Sequence, residues 1–268
     1  MARPVIRRTL MTVGAVVAVA ALAVSAVLAP GLPTESGRGY SAVAAAPVAP
    51  PAPAATPAPK QVYRPTLAAP GSTWIATLSA ATPYSRAPEG PAVGTLAATD
   101  PFGIPQVVAV LGNPDASGWL HVELPVRPNG SLGWISSSGV TLTETAYKVQ
   151  VHLAARTLTV TDDGQAVLTT SVAIGAPRTP TPAGNTYLWE LIRPDDPTGA
   201  YGPYIFGLAW FSDAYSVFNG GDAQIGIHGQ DEPWSIGQAA SHGCVRLPND
   251  VITKLAGTLP LGTPVTIS

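Results

Sequence analysis

Among 268 residues there is one cysteine, Cys244. No internal disulfide can form from it. Neither the Cys-x-x-Cys pair of a thiol redox centre nor the cysteine sets of most structural zinc sites can be assembled. Charge is equally sparse: 14 Lys and Arg against 16 Asp and Glu make up 11% of the chain and leave a formal net charge of −2. That removes the electrostatic basis for binding nucleic acid. Helical periodicity is missing except for one stretch near the C-terminus. What is abundant is glycine (27) and proline (29), which favour many short strands and turns, so the expected fold class is mainly β.

The N-terminus reads as an address. Arg3, Arg7 and Arg8 precede an uncharged apolar run from Leu10 to Ala29, the pattern of a secretory signal or an uncleaved anchor. The run is long for a signal core and just long enough to cross a bilayer. Small residues at 42–46 offer a cleavage site. No cysteine directly follows the run, so a lipid-anchored cysteine is excluded. Residues 1–30 are therefore assigned as signal peptide or membrane anchor. Residues 31–71, which include "PVAPPAPAATPAP", are assigned as a Pro/Ala-rich linker of extended polyproline II character. The rest is expected outside the cytoplasm, at the cell wall or the outer membrane face, touching membrane only through the N-terminal segment. In an exported chain an unpaired cysteine is a candidate reactive thiol.

Residues 72–144 carry the pattern of a small β module. "GWLHVELPVRPNGSLGWI" alternates Leu120, Val122 and Leu124 with His121 and Glu123, then turns at Asn129-Gly130, a strong hairpin signal. Trp119 and Trp134 flank the hairpin, and its Gly-Trp strand starts resemble a bacterial SH3-like barrel, a type of module that often binds peptidoglycan. A plain packing or spacing domain fits the same residues.

A second alternation begins at Tyr147. Val149, Val151 and Leu153 face one way, and Lys148, Gln150 and His152 face solvent. Two strands joined at Asp163-Gly164 follow as another hairpin. One helix is expected over "VITKLA", capped by Asn249 or Asp250 and ended by Gly257. "GTPVTIS" closes the chain as a strand.

Within this second region, "QIGIH" reads as a strand delivering His228 to its end, and "SHGCVRL" places His242 two residues before Cys244. Three roles compete for the cysteine: buried packing residue, zinc ligand with His228 and His242, or nucleophile. A structural zinc site wants a fourth ligand, so no metal is expected. For acyl transfer, an adjacent imidazole moves the proton off the thiol and later onto a leaving amine, typically worth ~10²- to 10⁴-fold. Depressing the thiol pKa contributes far less, because nucleophilicity falls with basicity. Gly243 leaves room for a backbone N–H to face an oxyanion. From spacing, His242 is the nearer base, since i and i+2 share a face of an extended segment.

The stretch "IGIHGQDEPWSIGQAASHGCVRLPNDVITKLAGTLPLGTPVTIS" resembles the YkuD-type L,D-transpeptidase catalytic domain. The His-Gly and Ser-His-Gly-Cys-x-Arg motifs fall on His228, Gly229, Ser241, His242, Gly243, Cys244 and Arg246, "TPTPAG" matches a Thr-Pro-x-Gly segment, and "YGPYIFGLAW" a Gly-Pro-Tyr stretch. The resemblance covers 146–268 and implies a β-sandwich-like domain with a short helix after the SHGC motif. It implies Cys244 as nucleophile and His228 as its base, with the second ring nitrogen held by the Gly229 carbonyl. His242 then shapes the site. Ser241 is divided between turn-stabilising hydroxyl and catalyst, and Arg246 between a structural carboxylate partner and a substrate-carboxylate or oxyanion role. Tyr201, Tyr204 and Trp210 are candidates for lining the donor groove. The implied reaction forms 3→3 cross-links between peptidoglycan stem peptides, donor and acceptor, through a cysteine thioester with release of D-alanine. No cofactor is required, and acylation by carbapenems is expected. Trimming of the same stems as an L,D-carboxypeptidase, or a non-enzymatic cell-wall binding role, are the alternatives.

Overall fold

The computed structural model describes residues 68–100 and 103–268. The leader and nearly all of the linker lie outside the described residues. Among the described residues, no helix is long and apolar enough to cross a membrane.

The N-terminal module is built from seven strands: β1 (Thr73–Leu78), β2 (Thr82–Ser85), β3 (Ala92–Leu96), β4 (Val107–Ala109), β5 (Trp119–Glu123), β6 (Leu132–Ser136) and β7 (Val140–Thr145). They form a three-stranded sheet, β4-β1-β7, and a four-stranded sheet, β3-β2-β6-β5. The predicted hairpin is the β5–β6 pair, in register from Trp119↔Ser136 to Glu123↔Leu132. Its connection is longer than a two-residue turn, because Leu124 N–H donates to the Ser131 carbonyl and residues 125–130 project as a loop.

Strand β7 runs into β8 (Tyr147–His152) across Ala146 alone. The second region adds β9 (Thr157–Asp162), β10 (Gln165–Ser171), β11 (Ile174–Gly175), β12 (Gly184–Ile192), β13 (Ile205–Phe211) and β14 (Gln224–His228). It closes with β15 (Ala239–Ser241), β16 (Val245–Arg246), the helix α1 (Asn249–Ala256) and β17 (Pro264–Ile267). Eight strands share one sheet in the order β10-β9-β8-β17-β12-β13-β14-β16, and β11 pairs with β15. In β8, Val149 and Val151 are buried while Lys148, Gln150 and His152 are exposed, as their alternation requires. Asp163 and Gly164, both at positive φ, make the two-residue β9–β10 turn.

The helix departs from expectation at its start. Pro248 occupies the N-cap with no side-chain cap, and Asn249 is already helical. The Asn249 carboxamide oxygen instead accepts the Gln230 N–H at 2.8 Å, tying the helix start to the segment after His228. Gly257 ends the helix with φ −88°, without the left-handed turn.

Two hydrophobic cores meet at β12 and β13. Leu188, Phe206, Leu208 and Trp210 point into the core beneath β14 and α1, together with Ile227, Ile252 and Leu255. Tyr187 and Ala209, on the opposite face, complete the N-terminal module's core with Leu120, Val122 and Ile135. That explains why "IFGLAWF" is nearly continuously apolar: the strand is covered on both sides. The N-terminal module is thus packed against the sheet that carries the histidine strand.

Candidate active site

The apolar run of β14 is pulled into the sheet and leaves His228, 4% exposed, at its C-terminal end. Strand β16 lies parallel to it, with Ile227 opposite Val245 and His228 opposite Arg246. The residue immediately before β16 is Cys244, so the pairing that holds the histidine also sets the thiol. The Gly226 N–H points at Cys244 Sγ, 3.3 Å away. A Cβ on Gly226 would stand 3.2 Å from Ile205 and 4.0 Å from that sulfur.

The turn before the thiol is braced from three sides. Ser241 Oγ donates to the Cys244 carbonyl at 2.5 Å and accepts the Gly243 N–H at 3.1 Å. Gly243 adopts φ +124°, a conformation that favours glycine. Thr181 Oγ1 donates to the Gly243 carbonyl at 2.7 Å and accepts the Gly175 N–H at 2.9 Å. Thr179 Oγ1 donates to the Ser241 carbonyl at 3.0 Å. The "TPTPAG" segment therefore buttresses the cysteine turn through two threonine hydroxyls, roles that the sequence motif did not reveal. Ser241 is a turn-stabilising hydroxyl here. The Gly243 N–H is committed to Ser241, so it is not the N–H that Gly243 leaves room for.

His228 Nδ1 lies 2.5 Å from the Gly229 carbonyl. A carbonyl only accepts, so Nδ1 carries the proton and Nε2 is the lone-pair nitrogen. Burial pushes the imidazole pKa down to about 4; the Gly229 bond and Asp231 oppose this, and Arg246 adds to it. Burial also raises the Cys244 pKa, opposed by the Gly226 N–H and by Arg246. Both shifts favour neutral partners, a thiol beside a neutral imidazole, over a thiolate–imidazolium pair. Gly229 itself is hemmed in, since a Cβ would meet the Asn249 side chain at 2.4 Å and Pro203 at 2.8 Å.

Cys244, His228, His242 and Arg246 line one cavity of about 220 Å³, faced by Tyr201, Phe218 and Asn219. Arg246 Nη1 binds Glu232 Oε2 at 2.7 Å, while its Nε is buried without a partner. The His242 ring is exposed and sits 5.3 Å from the Phe218 ring and 6.4 Å from that of Tyr215. Tyr201 meets the His228 ring edge-on at 5.0 Å, and its hydroxyl accepts a hydrogen bond from Asn219 at 3.2 Å. The other two predicted groove aromatics lie elsewhere. Trp210 is core, its indole N–H donating to Glu123 at 2.8 Å. Tyr204 packs against the core, with Arg193 over its ring. Trp210 belongs to a strand covered on both faces, and Tyr204 stands just before that strand, half-buried. Phe218 and Asn219 were missed as site residues, because nothing local marks a loop that folds back over a thiol.

A larger cavity, about 390 Å³, shares Tyr201 and Phe218 with the first and is bordered by Trp189, Glu190, Asp222 and Gln224. The register Glu190↔Gly207↔Gly226 places a carboxylic acid and two glycines in one row leading toward Cys244. A Cβ on Gly207 would stand 2.4 Å from Glu190 Oε1, so only glycine leaves space for that side chain. Burial raises the Glu190 pKa to about 7, helped by the charge of Asp100, a hydrogen bond with it, and Asp222, and opposed by a bond to Gln224. Among the described residues, no group of three or more His, Cys, Asp or Glu is arranged to hold a metal ion.

Residues 146–267 match the YkuD family profile, whose description is L,D-transpeptidase catalytic domain. A Bacillus subtilis protein named as an L,D-transpeptidase, YkuD, is 35% identical over 122 residues, covering 46% of this chain and 66% of that protein. Its Bacillus licheniformis counterpart is 34% identical over the same shares. The chain thus spans 66% of the length of these curated relatives. Among solved structures, the catalytic domain of an E. faecium L,D-transpeptidase acylated by ertapenem is 28% identical, covering 46% of this chain and 96% of that one, with a TM-score of 0.35. An L,D-transpeptidase from Mycobacterium smegmatis is 18% identical, covering 61% and 90%, with a TM-score of 0.37.

Proposed function

We propose, from the premise that residues 146–267 are an L,D-transpeptidase catalytic domain of the YkuD family, that this protein forms 3→3 cross-links between peptidoglycan stem peptides. The observation that carries the mechanism is the shared cavity of Cys244 and His228 with Nδ1 anchored on the Gly229 carbonyl. The remaining nitrogen, Nε2, takes the thiol proton as sulfur attacks the carbonyl between the third stem residue and D-alanine. The C–S bond forms, the C–N bond breaks, and the imidazolium returns its proton to the departing D-alanine amine, leaving a thioester. An acceptor amine then attacks the thioester, passing its proton to Nε2, and the sulfur leaves and is reprotonated. A neutral starting pair suits this sequence, because a weakly basic imidazole releases its proton readily to the leaving group. Arg246, which lines the same cavity, is assigned to the substrate carboxylate or the developing oxyanion.

Transpeptidation rather than hydrolysis is the reading adopted, supported by an adjoining cavity that shares Tyr201 and Phe218 with the thiol site and has room for a second chain. The proposal extends to export through residues 1–30, to a cell-wall location, to acylation of Cys244 by carbapenems and to an SH3-like reading of the N-terminal module. Mass spectrometry after incubation with a disaccharide-tetrapeptide, with and without an acceptor stem, tests the reaction. D-alanine release and a cross-linked dimer are expected from the wild type, and neither from Cys244→Ala. Disaccharide-tripeptide in the presence of acceptor, with no dimer, identifies a carboxypeptidase instead.

A further inference from the structure

The loop between β13 and β14, residues 212–223, is the wall of the thiol cavity that the catalytic domain does not hold by itself. Its tip is a tight turn. Phe218 and Gly221 exchange backbone hydrogen bonds at 3.0 Å, and Asn219 and Gly220 between them both have positive φ. Phe218 and Asn219 face Cys244 across the cavity, and Tyr215 and Phe218 bracket the His242 ring. The position of this tip therefore sets the width of the space in which an acyl group must sit.

Both legs of the loop are held by one side chain of the N-terminal module. Arg127, in the loop between β5 and β6, donates from Nη1 to the Ser212 carbonyl at 3.0 Å. Its Nη2 donates to the Tyr215 carbonyl at 3.1 Å and to the Asp222 carbonyl at 2.8 Å. The guanidinium carbon also lies 4.9 Å from the centroid of the Phe211 ring. Two residues on, Asn129 exchanges a pair of hydrogen bonds with the Phe211 backbone, at 2.8 and 2.9 Å. A planar fork with several fixed donors suits three converging carbonyls; an ammonium on a flexible stem does not. These partners are 85 to 95 residues apart in sequence, and their carbonyls belong to both ends of the loop.

We infer that Arg127 is a positioning residue for acyl transfer: by tying the two legs of the 212–223 loop to the N-terminal module, it holds Phe218 and Asn219 at the distance from Cys244 that a stem peptide requires. The N-terminal module is on this account a working part of the active site, whatever else it binds. The inference rests on the proposed acyl-transfer chemistry for its consequence, but not for its geometry. Arg127 is exposed, so replacing it removes the fork without emptying a core. Misplacement of a substrate-positioning wall by about 1 Å can cost up to ~100-fold, and a loss of ~10-fold or more is expected in the rate of Cys244 acylation.

The test uses the full chain and its Arg127→Ala and Arg127→Lys variants, with three measurements. Hydrogen exchange at the amides of 212–223 should accelerate in Arg127→Ala, with β8 and β9 unchanged. The rate constant for acylation by a carbapenem should fall, with partial recovery in Arg127→Lys. Alkylation of Cys244 by iodoacetamide, small enough to need no shaped cavity, should instead become faster as the wall loosens. Opposite movement of the two thiol reactions is the signature of positioning. Unchanged exchange in 212–223, equal acylation rates, or a uniform change across the whole catalytic domain overturns the inference. If the wild type is not acylated at all, it is the acyl-transfer reading that fails, and exchange with alkylation still decides the role of Arg127.

Discussion

The two walls of the thiol cavity are built in different ways. The wall carrying Cys244 is fastened by its own domain: Thr179, Thr181 and Ser241 bond the turn, β14 pairs with β16, and Ala173 and Arg246 exchange backbone bonds at 2.9 and 3.0 Å. The facing wall, residues 212–223, adds to its own Asn219–Tyr201 bond a set of anchors from Arg127 of the N-terminal module. A nucleophile must be held to a fraction of an ångström against its base, whereas a wall that admits and releases peptides must be able to move. On the proposed function, the wall that carries the chemistry is held within its own domain, and the wall that faces the substrate is held in part from outside it.

The largest break in this contrast comes from the rigid wall. His228→Ala should reduce D-alanine release by ~10²- to 10⁴-fold, the usual worth of a positioned general base, while His242→Ala, on an exposed ring, should cost far less. Steady-state assays on both variants decide it, and a larger loss for His242 would reassign the base. Thr181→Val comes next. Valine keeps the shape but strands the Gly175 N–H and the Gly243 carbonyl in a buried site, at about 1–3 kcal/mol for each group. A lowered urea midpoint with an unchanged slope is the expected result.

A third test sets the active site against the module interface by pH. Glu123, buried against Trp210, has a pKa raised to about 7 from 4.5 by burial, with the Trp210 and Thr186 hydrogen bonds opposing. Its folded pKa lies above its unfolded one, so its contribution is complete below about 4.5 and is lost as pH rises through 7. His228 runs the other way: with a folded pKa of about 4 against 6.5, its contribution is complete above 6.5 and is lost as pH falls toward 4. Glu123→Gln, which still accepts the indole hydrogen bond, should flatten the alkaline side of the stability profile and leave the acid side intact. The smallest effect is expected from Glu232→Gln. This partner of Arg246 is 43% exposed, and exposed pairs are worth about 1 kcal/mol or less. A melting shift beyond that scale would show Arg246 to depend on its carboxylate more than the geometry indicates.

Local signals were read well where the structure is local. The alternation of β8, the Asp163-Gly164 turn and the delivery of His228 by "QIGIH" all follow from side-chain periodicity and backbone preference over a few residues. The failures share a cause. Asn249 looked like a cap until the Gln230 N–H, nineteen residues away, took its carboxamide. Trp210 looked like a groove residue until Glu123, 87 residues away, received its N–H.

By itself the sequence determined the mainly-β class, the unpaired cysteine as candidate nucleophile and the histidine strand, because turn residues, two-residue periodicity and a compact motif act over short separations. Tertiary structure alone decided which hydroxyls brace the cysteine turn, that burial disfavours charge on both thiol and imidazole, and that an arginine of one module bonds both ends of the loop facing the thiol. Those outcomes depend on burial and on hydrogen bonds between residues tens of positions apart, and only the folded chain brings such partners together.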